Sequence, residues 1–388
     1  MKKIFGIAFD RDIRRVQVSN AMTSVSLSFV SIYIPAFLLT HGFSLSEMIL
    51  FFTVFHLVGL PIGLLFCPWS MRRFGLIKTL RFSYPLQVIS LVLLNLMPTF
   101  SIPWVLIAVI GGSATFVYWM PLNILLVKYS DKEKMGSDLG MFFALPKVFG
   151  VVGPLVSALL IPMFGFWPMF AVACIGLIFS SLPLVGIPDD GFKIEIDMRN
   201  AWKTLWKRKL LFTLEGLDNI IEESEWFWGI FVFLIIGSLS VPGIVGGLES
   251  LGGALFAVLI GKRANRNAEK LVPIASIGLI VIWVARFFVH EPVLAYSISL
   301  IASFVMTFFL VSYFGMIYRK IKGDDEEEFL IIREIPTVLG RLVMFGVLLL
   351  VVSDPKLMFF LPIVSITALL AILFVKRKRF ETADPSSV

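Results

Sequence analysis

The feature that most constrains this chain is a succession of apolar stretches, each about 20 residues long or longer. A helix rises about 1.5 Å per residue, so each stretch can cross the roughly 30 Å of hydrocarbon in a bilayer. Turn-forming pairs such as His41-Gly42 and Asp354-Pro355 separate the stretches. We draw twelve spans, near residues 16–40, 46–67, 79–98, 103–127, 137–161, 163–186, 211–237, 242–261, 271–289, 292–318, 328–352 and 356–376. The predicted fold is an all-α integral membrane protein with twelve transmembrane helices.

Composition supports a membrane protein and argues against a soluble one. Hydrophobic residues make up 58% of the 388 residues and charged residues only 16%, which is more apolar surface than a soluble domain hides. The net charge of +7 does not indicate nucleic-acid binding, because Lys and Arg lie in short runs between apolar stretches, where they set topology. Cys67 and Cys174 lie within or at the edge of apolar spans and are expected to be free thiols.

The distribution of basic residues predicts the orientation of the chain. Every second connection carries Lys and Arg, whereas the alternate connections are nearly bare, with Lys356 as the exception. The basic segments lie near residues 1–15, 72–81, 128–134, 203–209, 262–270, 319–322 and 376–379. By the positive-inside rule both termini are cytoplasmic, and we expect a multi-pass protein of the cell (plasma) membrane.

The longest predicted cytoplasmic connection divides the spans into two sets of six. We therefore predict an N-terminal six-helix bundle at 1–186, a linker at 187–210, and a C-terminal six-helix bundle with a basic tail at 211–388. Within the linker, the segment 198–209 places apolar side chains near one helix face and lysines on the others, which is typical of a helix in the membrane interface. A role in binding a partner is the alternative.

The two predicted bundles look like repeats of one unit. An offset of about 193 residues carries span 1 onto span 7, span 5 onto span 11, and the basic connection after span 2 onto the one after span 8. Pseudo-symmetric halves of six helices are the plan of transporters that alternate access around a site near the middle of the membrane.

This plan and two loop motifs resemble the major facilitator superfamily (MFS). After span 2, Arg73, Phe74 and Gly75 match the Arg-x-Gly core of the family's signature loop, although Arg72 stands where the family has Asp. A second copy after span 8 matches in spacing. The resemblance implies a secondary transporter whose loops latch the cytoplasmic ends of the two bundles. The residues that it assigns to this latch are Arg73, Gly75, Gly261 and Arg266.

A further similarity concerns the direction of transport. The residues from Gly150 to Ala158 in span 5 resemble the Gly-Pro motif of the family's proton-coupled exporters, with Ser157 and Ala158 where paired glycines are expected. A small-residue packing face with a kink at Pro154 explains the same residues. Export and uptake therefore both stay open.

Acidic residues inside the span 211–237 most need an explanation. Glu215, Asp218, Glu222 and Glu225 recur at the spacing of one helix face. Each charge at the centre of a bilayer costs roughly 2.5–3.5 kcal/mol, so such a face requires water, a basic partner or a bound ligand. The candidate substrate-binding or proton-coupling residues are Glu222, Glu225, Asp218, Arg341, Lys147 and Glu249.

Our hypothesis is that Glu222 and Glu225 face a central cavity and pair there with Arg341 and Lys147; the repeat offset carries Lys147 to the position beside Arg341. The carboxylates would exchange a proton or a cationic substrate as the bundles rock. Structural ion pairs between spans 7 and 11 are the alternative. Arg286 is expected to extend to the outer surface, and His56 is expected to be a packing histidine, with a proton carrier as the alternative.

Aromatic residues on the predicted cavity helices extend this hypothesis. Tyr118 and Trp119 lie in span 4 and Trp226 lies in span 7, two of the helices that line the cavity in the family. Ring faces and carboxylates both attract cations, so this combination suits an amphipathic cation. Aromatic belts at the membrane interface are the alternative.

The expected function is secondary active transport of a small solute by alternating access, coupled to protons and, where the Gly-Pro motif holds, directed to efflux of amphipathic or cationic compounds. The alternative is a non-transporting sensor or scaffold on a transporter fold. The sequence has no Walker loop and no Ser/His/Asp constellation, and its three histidines are too far apart for a local metal motif. We therefore expect no enzyme activity, cofactor, metal or nucleic-acid partner. The expected partners of a monomeric protein are the lipid bilayer, protons and an unidentified small molecule.

Overall fold

A computed structural model describes residues 11–129, 142, 146–188, 198–259, 268–321 and 326–381. Every regular element within these ranges is helical. The α-helices are α1 (Arg11–Ser28), α2 (Ile34–Thr40), α3 (Leu45–Leu57), α4 (Gly59–Pro61), α5 (Cys67–Phe74), α6 (Leu76–Phe100), α7 (Trp104–Tyr129), α8 (Val152–Phe164), α9 (Trp167–Ser181), α10 (Met198–Lys207), α11 (Lys209–Ile236), α12 (Val241–Leu259), α13 (Ala268–Arg286), α14 (Pro292–Ile321), α15 (Glu326–Ile332), α16 (Glu334–Leu350) and α17 (Phe360–Glu381).

Eight helical segments of the described residues are long and apolar enough to cross a membrane. They are Arg14–Thr40, Leu45–Phe74, Leu76–Phe100, Trp104–Val127, Pro146–Phe164, Trp167–Leu184, Pro292–Ile321 and Pro355–Phe374. These eight segments match the first six predicted spans and two of the last six. The other four predicted spans are helical as well: α11 carries several charged residues, α12 is apolar over a shorter length, and α13 and α16 are not among the eight segments. The all-α membrane class therefore stands, and the count of twelve stays a prediction.

The first two predicted spans are interrupted helices. α1 ends at Ser28, and a 3-10 turn at Ser31–Tyr33 leads into α2, whose first turn holds Pro35. A proline is tolerated there because the first N–H groups of a helix have no partner within the helix. In the second span a π-helical segment, Ile62–Phe66, follows Pro61. Single π-helical turns commonly occur at functional sites.

The predicted span 328–352 is also interrupted, at Arg333. α15 ends at Ile332 and α16 begins at Glu334. Pro336 explains this break, because it has no N–H to bond the carbonyl oxygen of Ile332 four residues earlier. The break sets two charged residues into the interior, since Arg333 is 9% exposed and Glu334 is 5% exposed.

Several helix pairs of the described residues join the predicted halves of the molecule, and two of these contacts are the most extensive. α3 packs against α16, and α8 packs against α12. These are helices from predicted spans 2 and 11 and from spans 5 and 8. Within the C-terminal half, α11 packs along α16. The acidic helix α11 is thereby placed beside the interface between the halves.

The Gly-Pro segment lies at the contact between α8 and α12. A Cβ atom on Gly243 would collide with the carbonyl oxygen of Pro154, so this crossing requires a glycine. Ser157 donates a hydrogen bond to the carbonyl oxygen of Phe29 at 2.8 Å. These small residues thus permit a close approach of helices, as the packing interpretation predicts.

Candidate functional site

All five acids of the 211–237 span lie on one continuous helix, α11. Glu215 and Asp218 are completely buried and Glu223 is 8% exposed, whereas Glu222 and Glu225 are half-buried. Burial thus extends beyond the face that the spacing predicted, because α11 is covered by neighbouring helices on more than one side. Glu223 lies about 100° around the helix from Glu222, and it faces His56 and Arg341.

Glu223 contacts a histidine and an arginine at once. Its Oε1 lies 3.2 Å from Nε2 of His56, and its Oε2 lies 3.3 Å from Nε of Arg341. Arg341 Nη1 lies 3.2 Å from His56 Nδ1. The expected pairing of Arg341 with Glu222 and Glu225 is therefore replaced by a pairing with Glu223. We call His56, Glu223 and Arg341 the bridging triad.

The bridging triad connects the predicted halves. His56 lies on α3 of the N-terminal half, whereas Glu223 and Arg341 lie on α11 and α16 of the C-terminal half. One arrangement of protons suits all three contacts: a neutral imidazole directs its Nε2–H towards Glu223 and accepts from Arg341 at Nδ1. The ring of Phe345 on α16 stacks on His56 with centroids 5.6 Å apart. His56 therefore serves both packing and polar contact.

Glu225 forms a different ion pair. Arg286 donates hydrogen bonds to both of its carboxylate oxygens, at 2.7 and 2.6 Å. The guanidinium carbon of Arg286 lies 4.5 Å from the ring centroid of Trp228 and 4.1 Å from that of Trp283. Arg286 was expected to extend to the outer surface, but it is completely buried. Two ring faces and a bidentate carboxylate replace its water there.

Lys147 and Glu249 lie near each other on the side of α12. The stem of Lys147 packs so close to Gly253 that a Cβ there would lie 2.9 Å from the lysine Cγ. Glu249 interacts electrostatically with Lys147, Arg286 and Glu225. Its Oε1 is buried without a hydrogen-bond partner among the described residues. Lys147 therefore lies near Glu249, whereas the repeat predicted that it would lie beside Arg341.

The two deepest acids of α11 form a separate group. No oxygen of the Glu215 or Asp218 carboxylates has a hydrogen-bond partner within the described part of the chain. Arg333 Nη1 lies 3.9 Å from Glu215 Oε2 and donates to the Tyr318 hydroxyl at 2.7 Å. The buried hydroxyl of Tyr313 interacts with both acids. We call Glu215 and Asp218 the acid pair; Arg333 interacts with both acids, and Arg341 also interacts with Asp218.

Glu222 lies between the acid pair and the bridging triad. It interacts electrostatically with Asp218 on one side and with Arg341 on the other. It is half-buried, and it makes no ion pair with another residue of the described ranges. Glu222 thus connects the acid pair electrostatically with the bridging triad.

A cavity of about 190 Å³ opens beside the bridging triad. Its lining is Ser31, Ile34, Phe51, Phe52, Phe55, His56, Ser90, Leu91, Leu94, Glu223 and Trp226. The rings of Phe52 and Trp226 pack edge to face, with their centroids 4.7 Å apart. The cavity therefore combines an aromatic wall with one carboxylate, and the halves of the chain both contribute to it.

The aromatic residues predicted in span 4 lie elsewhere. Tyr118 is buried and donates to Asn20 Oδ1 at 2.8 Å, within a network that includes Tyr84. Trp119 is 42% exposed and contacts Phe142. Neither lines the cavity beside the triad, whereas Trp226 does.

The structure describes only the first of the two predicted latch loops. Arg73 is exposed at the end of α5, and Gly75 follows it with φ +96°, a conformation that favours glycine. This explains the Arg-x-Gly pattern as the end of a helix and a tight turn. Gly261 and Arg266 lie outside the described residues.

Sequence reasoning overlooked Glu223 and underrated Arg286. The signal for Glu223 was its position beside Glu222, since two adjacent acids within a membrane helix cannot share one face. The signal for Arg286 was Trp283 one turn earlier, because an indole ring is a partner that a buried guanidinium accepts.

Comparison with solved structures gives this architecture a known class. A bacterial homologue of the iron transporter ferroportin, in an outward-facing state, matches with a TM-score of 0.69 and 12% identity over 94% of this chain and 99% of that chain. The human organic anion transporter MFSD10 (TETRAN) matches with a TM-score of 0.67 and 13% identity, again over 94% and 99%. FucP, an MFS transporter in its outward conformation, matches with a TM-score of 0.68 and 10% identity over the same shares.

The chain is therefore a multi-pass membrane protein with the fold of the MFS transporters. At 10–13% identity these matches concern the fold. No protein-family model and no curated protein sequence matches the chain.

Proposed function

We propose that this protein is a proton-coupled secondary transporter that moves a small cationic or amphipathic solute by alternating access. The observation that carries the proposal is the position of Glu223. Its carboxylate contacts one residue from each predicted half and also lines the aromatic cavity. The Glu223 carboxylate therefore belongs both to the contact that joins the halves and to the cavity where a solute would bind.

This sharing suggests how binding and movement are linked. A cation in the cavity would be attracted by the Glu223 carboxylate and by the ring faces of Phe52 and Trp226. It would compete with Arg341 for the same carboxylate. It would also compete with His56, and weakening the Glu223–His56 contact loosens α3 from α11, so the arrival of the solute favours separation of the halves.

The acid pair supports the coupling to protons. Two fully buried carboxylates lie close together in the interior, and such burial is costly unless a proton or cation neutralises the charge. Rocking of the halves would expose this charge to water on alternate sides. A proton bound on one side would then leave on the other, with Glu222 as the residue between the acid pair and the triad.

The size of the cavity restricts the solute in this conformation. About 190 Å³ corresponds to roughly six water molecules at about 30 Å³ each. Pockets for drug-sized ligands occupy about 300–1,000 Å³. A compact cation therefore fits the closed cavity, and a larger amphipathic one requires the halves to open.

For the direction of transport we propose efflux. The support is the similarity of the segment from Gly150 to Ala158 to the exporter motif, in which small residues allow two helices from opposite halves to cross closely. The organic anion transporter MFSD10 and the bacterial homologue of the iron transporter ferroportin share this fold. A cationic solute is proposed here from the cavity lining and not from either relative.

Purified protein in proteoliposomes tests the proposal. An imposed proton gradient should drive flux of a small organic cation such as tetramethylammonium or of a lipophilic one such as tetraphenylphosphonium, and a protonophore should abolish it. Inside-out and right-side-out orientations separate efflux from uptake. Ligand binding with no flux under any gradient would instead support a sensor or scaffold.

A further inference from the structure

A second cavity lies on the outer surface of the predicted C-terminal half. It is a groove of about 400 Å³ between α10, α11 and α16. Its walls are largely apolar and include Leu205, Trp206, Phe212, Leu217, Leu339 and Val343. Leu339 and Val343 are about half exposed, so the groove faces the surroundings of the protein and not its interior.

Two glycines form the floor of this groove. Gly216 and Gly340 both line it, and a Cβ on Gly340 would collide with the carbonyl oxygen of Gly216. The helices therefore cross with almost no side chain between them, and the missing side chains leave a channel along the crossing. An extended hydrocarbon chain fits such a channel, whereas a compact polar solute gains nothing from it.

The end of the groove near α10 is basic. Lys209 lines the groove, and Lys203 is exposed one turn before Trp206 on α10. Ala201 is buried, while Trp206 is 75% exposed. A helix with one buried face, exposed indole rings and lysines is typical of the membrane interface, and the basic connections place this end at the cytoplasmic surface.

We infer that this groove binds an anionic phospholipid of the cytoplasmic leaflet. The acyl chain lies along the Gly216–Gly340 crossing, and the head-group phosphate lies at Lys203 and Lys209. These two lysines select the head group, because they attract a lipid with net negative charge more strongly than a zwitterionic one. The inference is independent of which solute, if any, the protein transports.

The position of the groove gives the lipid a consequence for the helices. Glu215 precedes Gly216 on α11, and Arg341 follows Gly340 on α16. The groove and the buried charged residues thus lie on different faces of the same helix pair. A lipid that fills the groove covers the crossing from outside and stabilises the arrangement of α11 against α16.

Native mass spectrometry of the full-length protein in detergent tests this inference with two lipids of identical acyl chains, dioleoylphosphatidylglycerol and dioleoylphosphatidylcholine. The wild-type protein should bind the anionic lipid preferentially. The double variant Lys203→Gln/Lys209→Gln should lose at least about tenfold in affinity for it and little for the zwitterionic lipid. Arg72→Gln/Lys270→Gln is the matched control, since it removes two exposed charges from the same predicted side, and it should retain the preference.

A second pair of variants tests the apolar part of the site. Thr213→Trp fills the groove without changing charge and should weaken the binding of both lipids; Val343→Trp does the same from α16 if the first variant does not fold. Equal binding of the two lipids by the wild-type protein would overturn the inference. An equal loss of affinity in the control double variant would also overturn it, as would undiminished binding in both groove-filling variants. Displacement of the lipid by millimolar glycerol 3-phosphate would overturn it as well, because it would indicate a site for soluble phosphate.

Discussion

At the scale of single residues, the Glu223 carboxylate has two oxygens and two partners. Oxygen Oε1 faces His56 and Oε2 faces Arg341, so both are occupied while the halves are joined. Replacing the carboxylate by an amide keeps the shape but removes the charge. The amide would leave the guanidinium of Arg341, whose side chain is 19% exposed, without its anion. Losing one partner of a buried ion pair typically costs about 3–5 kcal/mol.

We expect Glu223→Gln to reduce protonophore-sensitive flux in proteoliposomes by at least about tenfold, because a difference of 1.4 kcal/mol already changes an equilibrium tenfold and the lost pair exceeds it. Glu291→Gln, which alters an exposed carboxylate near the end of α13, should keep wild-type flux. Full flux in Glu223→Gln with none in Glu222→Gln would return the coupling role to Glu222 and contradict the assignment made from the triad.

The pair formed by Arg286 and Glu225 makes a prediction about stability. Arg286→Leu leaves a buried carboxylate without its cation and should lower the free energy of unfolding by about 3–5 kcal/mol. Arg286→Leu/Glu225→Leu removes both charges and should recover most of this loss. Thermal unfolding of the detergent-solubilised variants measures the difference. Equal destabilisation in the single and double variants would mean that the indole stacking, and not the ion pair, holds Arg286 in place.

At the scale of elements, the crossing of α11 and α16 depends on glycine at one position and not at another. A Cβ on Gly340 would collide with Gly216, whereas a Cβ on Gly346 of the same helix would meet no atom within 4 Å. Forcing extra volume into a packed contact typically costs about 1–3 kcal/mol. In an open helical position the same change from glycine to alanine gains about 0.5–1 kcal/mol.

The prediction is therefore a contrast between two identical substitutions. Gly340→Ala should lower the unfolding temperature, and Gly346→Ala should leave it unchanged or raise it. Because Arg341 follows Gly340, the first variant should also reduce flux by shifting the guanidinium from Glu223. If both variants unfold at the same temperature, the close crossing of the two helices is refuted.

The elements also mark the limit of what sequence could predict. Apolar length gave the helices, because a bilayer requires it. Apolar length did not predict the helix breaks at Ser31–Tyr33, Ile62–Phe66 and Arg333. A proline in a membrane helix produces either a kink or a break, and which of the two occurs depends on the hydrogen-bond partners that neighbouring groups provide for the backbone groups left free. Likewise, helical periodicity placed Glu215 and Asp218 on one helix face but did not predict that both are completely buried. It could not reveal the partners of Glu223, which depend on the packing of α3 against α16, helices far apart in sequence.

At the scale of the whole molecule, two contacts between the halves differ in their chemistry. The bridging triad joins α3 to α11 and α16, and small residues join α8 to α12. Interfaces of this kind have two discrete arrangements, joined and separated, rather than a continuous range. The bridging triad lies beside the cavity, so a solute cation or a proton can alter it, whereas Pro154 and Gly243 bring small uncharged residues together. The α8–α12 contact therefore suits a pivot and the α3–α16 contact a gate.

A covalent bridge between α3 and α16 should hold this gate closed. Phe52 on α3 and Phe345 on α16 stack across the halves with ring centroids 6.3 Å apart. In a background with Cys67 and Cys174 replaced by serine, Phe52→Cys/Phe345→Cys joined by a short bis-methanethiosulfonate reagent should lose flux and regain it on reduction. The matched control, Phe231→Cys/Phe359→Cys, bridges two rings 4.6 Å apart within the C-terminal half and should transport normally when joined. Reversible loss of flux in the first pair alone would establish that α3 and α16 must separate during transport, and undiminished flux in the bridged protein would assign the gate to another pair of helices.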